Sequence, residues 1–484
     1  MKRKLFAAIL FILSAAVNSQ QSNTLYFMYR VPQSSFLNPA RQFPCQFYIS
    51  VPLLSSIHAN VSSTAFSVKS ISDVSGNVMQ INTDKILKHT HNLDHISTEV
   101  HYTLLSMGFK KFDYYYTFSL TEKNEFYLSL PNDLTMLAVK ANGYFMDKDK
   151  SVQLRRLAAN MLHYREYAFG ASKQVDDDLQ MGFRAKLLFG KANVNTRVRN
   201  LSIHTNPETF DLTFKSNATI NASGPILLNT NADGYISDVS FDESAPITKL
   251  IFNGRNPGLS LDGGFFYQYN DDITLSGSFN DLGFIWWRSY LNNATQNGEF
   301  TFVGQTEANA ANGSLMMHIM DTVRTTFAPT FTKKSYLTML PLKGYLGAEY
   351  RLTNYLRAGV LGRLWLYQYR FHPSVTLHAS LLLTRFITLT ANYSFHNYNL
   401  RNLGGGLTFQ TRNVQFYLLT DNYAAAIWMN SARNVNLRFG FNLFFGCGGK
   451  GGKGGVGGRR GHGNMNCAGC YWYQSMEEKR RRRD

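Results

Sequence analysis

The chain has 484 residues, of which 44% are hydrophobic, 14% aromatic and only 17% charged. An average soluble domain carries about 25% charged residues. The 36 Phe, 27 Tyr and 5 Trp exclude disorder for most of the length, because disordered segments are poor in aromatics. The formal charge of +17 permits anionic partners without choosing among them.

Residues 1–19 begin with Lys2, Arg3 and Lys4, continue with the apolar run Leu5 to Leu13 and end in small residues at Ser19. That is the layout of a secretory signal peptide. The run is too short to span a bilayer, which takes about 20 residues, and no later stretch approaches that length uninterrupted. Export turns the basic charge toward lipid headgroups, so no nucleic-acid partner is expected. Residues 20–45 are irregular and carry Pro32, Pro39 and Pro44, which reads as a periplasmic lead-in or plug.

From there the chain reads as strands. Candidates are Gln46 to Pro52, Val100 to Lys110, Phe112 to Leu120, Glu125 to Leu130, Tyr164 to Gln174, Leu179 to Lys191, Thr196 to Thr205, Phe210 to Ser216, Gly258 to Asn270, Asp272 to Asn280 and Glu299 to Gly304. Two stretches look helical, Asn132 to Phe145 and Thr306 to Thr325, each a loop helix or a small lumen plug. Asn217 to Asn256 is rich in Asn, Ser, Gly and Asp and reads as a long surface loop.

Between Lys343 and Phe445 five segments in a row alternate, with occasional apolar residues such as Leu382 and Phe444 on the polar face. Leu356, Ala358, Val360, Leu364 and Leu366 oppose Arg357, Arg363, Trp365 and Tyr367. Val375, Leu377, Ala379 and Leu381 oppose Thr376, His378 and Ser380. Val435, Leu437, Phe439, Phe441 and Leu443 oppose Asn434, Asn436, Arg438 and Asn442. Period 2 specifies strands with one greasy and one polar face. A secreted sandwich alternates as well, but these strands approach the roughly 9 to 11 residues that cross a bilayer at a tilt. Aromatics gather at their ends, as in Tyr114 to Tyr116 or Tyr367 to Phe371, where interfacial girdles lie. In lipid every backbone polar group must be satisfied internally, so strands cross only as a closed cylinder. The expected fold is an all-β transmembrane antiparallel barrel of about 14 strands over residues 46–446, with a short N-terminal plug and two small helices.

Residues 447–484 form a tail that is Gly-rich at first. It holds Cys447, Cys467, Cys470 and the basic run Lys479 to Arg483; the fourth cysteine is Cys45. Four cysteines allow three pairings, and an oxidising compartment favours a disulfide. Cys447, His462, Cys467 and Cys470 are an alternative zinc set. His89, His91, His95 and His101 lie in a polar stretch and read as exposed loop histidines. Asp176, Asp177 and Asp178 read as a solvated hairpin tip. A hydrolase would need a Ser/His pair such as one using His378 or His396 on the apparent lumen face, and nothing in the sequence points to one. No metal ligand, catalytic residue or cofactor is assigned, and none of the familiar nucleotide or hydrolase motifs occurs.

Five blocks resemble one family: Ser35-Phe36-Leu37-Asn38-Pro39-Ala40, Gly258 to Tyr267, Asn280-Asp281-Leu282-Gly283-Phe284-Ile285-Trp286, Tyr164-Arg165-Glu166-Tyr167, and Asn436 to Phe441. They resemble the DUF5723 outer-membrane barrels, a family similar to barrels associated with type IX secretion and gliding and, more distantly, to fatty-acid transporters. The resemblance implies an outer-membrane location with periplasmic termini, lipid and the barrel-assembly machinery as partners, and motif positions at turns and girdles. It implies a scaffold or accessory component of a secretion or surface-motility assembly, possessing other secretion or motility proteins as partners; the alternative is a passive transporter of hydrophobic solutes. An enzyme is not expected.

Overall fold

The structure, a computed structural model, describes residues 23–447 apart from 65, 76–77, 231–235, 242–253, 303–329, 368–369, 396–401, 424 and 426–431. The expected leader, the helix over Thr306 to Thr325, His396 and the tail residues His462, Cys467 and Cys470 lie outside the described residues.

Fourteen antiparallel strands close into a transmembrane barrel. In chain order they are β1 (Phe47–Ser50 and Ser56–Ser63), β2 (Leu93–Lys111), β3 (Tyr114–Pro131), β4 (Ala158–Gln174), β5 (Leu179–Thr205), β6 (Pro257–Gln268) and β7 (Ile273–Trp287). There follow β8 (Tyr336–Met339 and Leu342–Arg351), β9 (Leu356–Tyr367), β10 (Arg370–Leu382), β11 (Ile387–Phe395), β12 (Leu403–Gln410), β13 (Val414–Thr420) and β14 (Asn434–Phe445). The cylinder closes where β14 pairs with both halves of β1, Phe47 opposite Phe445 and Ile57 opposite Phe439. Between those halves Pro52, Leu53 and Leu54 are exposed, with Leu53 at φ 67°.

The expected alternation is present in the wall. Leu346 is 70% and Leu377 50% exposed, whereas Arg363 and Thr376 on the opposite faces are 3% and 1% exposed. An apolar exterior around a polar interior is the arrangement a bilayer imposes on a closed sheet. The pairs read as separate short strands, Phe112 to Leu120 with Glu125 to Leu130 and Leu179 to Lys191 with Thr196 to Thr205, are continuous: β3 has 18 residues and β5 has 27. Ser56–Ser63 was not expected as a strand, because Ser, His and Asn fill its lumenal face and only Ile57, Ala59 and Val61 face out.

β5 outruns the barrel. Beyond Phe189, paired with Pro257, its partner becomes Leu212–Ser223, which pairs in turn with Leu291–Phe302. A blade of sheet thus projects on the side opposite the chain ends. The long loop expected from Asn217 is therefore corrected. Asn217 to Ser223 belong to the blade, and Ile226–Thr230 pairs with Ile236–Phe241 as a hairpin. Polar residues were read as turn formers. Here they make cross-strand pairs, with Thr213 and Thr301 hydroxyls 3.0 Å apart, the kind of contact that stabilises a two-sided sheet. The helix expected over Asn132 to Phe145 is present as Asn132–Lys140 and Gly143–Met146. It packs with Phe145, Val152 and Leu154 near Leu201 and Ile203 of the blade, as a loop helix and not a lumen plug.

Candidate functional site

Residues Asn23 to Cys45 fill the lumen near the chain-end side. Their only regular pieces are the turn of helix Asn23–Tyr26 and the 3-10 helix Pro32–Phe36, where Pro32 supplies the fixed φ of a first helical position. Short pieces leave many backbone groups for the wall to satisfy, and the wall does so around its circumference. Arg184 Nη2 of β5 donates to the Ser35 carbonyl at 2.5 Å, and Asn280 Nδ2 of β7 to the Leu37 carbonyl at 2.7 Å. Gln415 Nε2 of β13 donates to the Arg30 carbonyl at 2.7 Å. The plug reciprocates: Asn23 Nδ2 reaches Thr376 at 2.9 Å, Gln33 Nε2 reaches Asn442 at 2.7 Å and the Thr24 N–H reaches Asp421 at 2.8 Å. Two wall glycines let it approach. A Cβ on Gly264 would stand 2.2 Å from Asn38 Oδ1, and one on Gly182 2.4 Å from the Pro39 carbonyl.

Behind the plug lies a layer of buried ions. Lys186 Nζ is 2.7 Å from Asp281 Oδ1 and 2.8 Å from Asp262 Oδ2; Lys123 Nζ is 2.7 Å from Glu166 and 3.5 Å from Asp281; Lys343 Nζ is 3.5 Å from the other Asp281 oxygen. Three lysines therefore share one carboxylate. Buried charges persist only where such partners replace water. Asp281 reaches the centre through a β-bulge: the β6–β7 register slips between Leu261 and Gly263, and Asp281 takes φ 64° while its N–H donates to Asp262 Oδ1 at 2.8 Å. Asp is one of the few residues that enters the left-handed region at modest cost. Two residues beyond, Gly283 is required, since a Cβ there would sit 2.2 Å from the Leu259 carbonyl.

The five sequence blocks meet in this region, which corrects the expectation that they mark turns and girdles. Ser35 to Ala40 is the core of the plug. Asn280 holds the plug and Asp281 collects the lysines. Asp262 and Gly264 come from the block Gly258 to Tyr267. Glu166 closes the ion layer, and Asn436 Nδ2 supports Asp421, the anchor of Thr24, at 3.1 Å. Within the motif Leu282, Phe284 and Trp286 face out, while the next residue, Trp287, is buried and donates to Thr338 Oγ1 at 2.7 Å. Local reading missed this because a bulge moves two adjacent polar residues onto one face, and only the paired strand reveals it.

The other candidates divide. Cys45 and Cys447 form a disulfide across a separation of 402 residues, so Cys447 is not available for the zinc set considered with His462, Cys467 and Cys470. His91 turns to Asp94, Nδ1 to Oδ1 3.0 Å. His95 and His101, expected as loop residues, lie on β2 facing the lumen, His95 within 5.5 Å of the Tyr127 ring. Asp176 caps its turn by accepting from the N–H groups of Asp178 and Leu179 at 3.0 and 2.7 Å, as a hairpin tip should. His378 stacks on the plug residue Phe27 and lies 3.5 Å from Glu349 Oε2.

Beside the bulge the wall is interrupted. β7 pairs with one half of β8 as far as Asn280 opposite Lys343 and resumes at Phe284 opposite Met339. Only the Leu340 N–H, 2.9 Å from the Gly283 carbonyl, bridges the gap in that stretch. A cavity of about 680 Å³ opens here. Its lining joins lumenal Asp281, Asn193 and Leu340 to Leu282, Leu337 and Met339, which are exposed on the outer surface.

A closed barrel with an occupied lumen, an ion layer and an interrupted wall defines a plugged transmembrane β-barrel. The chain belongs to the family of unknown function DUF5723, whose model matches residues 39–421. No curated protein matches the chain. Among solved structures it is similar to a deltaS2S3 mutant of the TodX monoaromatic hydrocarbon channel, at 9% identity and TM-score 0.41, covering 89% of this chain and 96% of that one. It is similar to the Ralstonia pickettii toluene transporter TbuX at 9% identity and TM-score 0.41, covering 86% and 94%. It is also similar to a Pseudomonas aeruginosa FadL homologue at 10% identity and TM-score 0.40, covering 90% and 100%.

Proposed function

We propose that this chain is an outer-membrane barrel that admits small hydrophobic solutes through the interrupted wall between β7 and β8, with the N-terminal plug as the barrier toward a periplasm that holds both chain ends. The observation that carries the reading is the cavity of about 680 Å³ running from exposed Leu337 and Met339 to buried Asp281 and Asn193. Apolar residues at the outer mouth suit a solute arriving from lipid, and a few polar groups inside orient it, the usual economy of a small-molecule site. The test is uptake of a fluorescent hydrophobic probe into proteoliposomes. Met339→Trp and Leu342→Trp should slow uptake, while Leu346→Trp, elsewhere on the outer belt, should not. Equal uptake by all three variants and by empty liposomes overturns the proposal.

The second reading is a scaffold in a secretion or motility assembly, favoured by the blade built on the 27-residue β5 and by the filled lumen. Photo-crosslinkers on Thr213 and Thr301 in cells would capture a discrete partner under this reading and none under the first.

A further inference from the structure

Away from the shared carboxylate, β1 and β2 bring two imidazoles and a second carboxylate together. His58 stands directly opposite His101, and Asn60 opposite Glu99. Residues two apart share a face, so His58, Glu99 and His101 all turn to the lumen. His58 and Glu99 are buried and His101 nearly so. The two imidazole centroids are 5.5 Å apart, and one ligand atom from each of the three residues lies within 4.8 Å of the others. His101 Nε2 is 3.2 Å from Glu125 Oε1. A carboxylate on one imidazole nitrogen fixes the tautomer and leaves the other nitrogen as a lone pair, the outer partnership common around metal-bound histidines.

We propose that His58, Glu99 and His101 form a binding site for a divalent transition-metal ion, with Zn²⁺ as the natural occupant and Glu125 positioning His101. Metal bonds of about 2.0–2.2 Å require the three side chains to draw together by roughly 1 Å, which rotation of the two rings supplies. Three protein ligands leave a fourth position. It faces an enclosed cavity of about 60 Å³, also lined by Lys343 and Arg438, with room for about two waters. Those two cations oppose an incoming dication, and the Glu99 and Glu125 carboxylates offset them. The site therefore discriminates against Ca²⁺ and Mg²⁺, which need more oxygens, and favours ions that imidazole holds well.

The test uses the full chain in detergent, stripped with EDTA and titrated with Co²⁺ and then Zn²⁺. One equivalent of Co²⁺ with visible bands of nitrogen and oxygen ligation, displaced by Zn²⁺, is expected. His101→Gln and Glu99→Gln should abolish the bands, Glu125→Gln should weaken affinity about 10- to 100-fold, and His91→Gln should change nothing. Heat-modifiable gel mobility shows whether each variant folds. If one does not, the wild-type spectrum decides. Substoichiometric uptake, thiolate charge-transfer bands that place the ion on tail cysteines, or full binding by folded His101→Gln overturns the proposal.

Discussion

Asn280 and Leu37, 243 residues apart, are joined by a hydrogen bond of 2.7 Å from amide to carbonyl, so the bulge in the wall and the plug in the lumen are one unit. The neighbouring Asp281 balances Lys123, Lys186 and Lys343. Asp281→Asn should leave those ammonium groups under-compensated and cost about 3–5 kcal/mol, the usual loss when one partner of a buried ion pair is removed. Asp281→Ala should cost roughly a further 1–2 kcal/mol, because alanine enters the left-handed region poorly. Urea unfolding of the detergent-solubilised barrel, followed by gel mobility, ranks the two. Equal stability of Ala, Asn and wild type would remove Asp281 from the framework.

Gly264 passes the plug at close quarters. Gly264→Val should push Asn38 and Pro39 from the wall while leaving the barrel ladder intact. The expected result is faster cleavage of the lead-in by an added protease with unchanged heat-modifiable migration. Cleavage at the wild-type rate would mean that the plug accommodates the side chain.

Leu346 points outward at 70% exposure. If hydrocarbon covers it, Leu346→Arg should destabilise the inserted barrel by about 2–4 kcal/mol, as for a basic residue near the bilayer midplane. A water-facing leucine would tolerate arginine without loss, so a neutral outcome would contradict the membrane orientation of β8.

Outside the wall, Asp73 accepts from Lys85 and from Asn82 Nδ2, the latter at 2.6 Å. The Lys85 ammonium first, and then Asn82, hold its carboxyl below the ordinary value. A carboxyl depressed in the fold stabilises the fold above its unfolded pKa of about 3.9. That contribution is lost as pH falls through the folded value. The contact between Thr83–His89 and the hairpin Ser72–Ser75/Val78–Ile81 should therefore loosen only in acid below about pH 4. Amide exchange across this segment checks it, and Lys85→Met should remove the pH dependence.

The barrel was legible wherever a strand had lipid on one side and polar lumen on the other. Leu377 against Thr376 and Val435 against Asn434 announce their faces without help from neighbours. Ser56–Ser63 was not legible, because its inward residues, His58 and Asn60, resemble loop composition until the partner rung at His101 and Glu99 is known. The ion layer was hidden for the same reason. Lys123, Glu166, Lys186, Asp262 and Asp281 sit on five different strands, and sequence periodicity reports the face of a residue but not its height in the cylinder. Cys45 showed nothing of its partner, since pairing depends on the closure of the first strand against the last.

That bond has a practical consequence. With Cys45 tied to Cys447, the backbone between them is a covalent ring, and one scission in any outer loop opens the ring without releasing a fragment. A nicked molecule should migrate as a single species under denaturing conditions until thiol is added, and a cell would keep a damaged copy in place instead of shedding half of it.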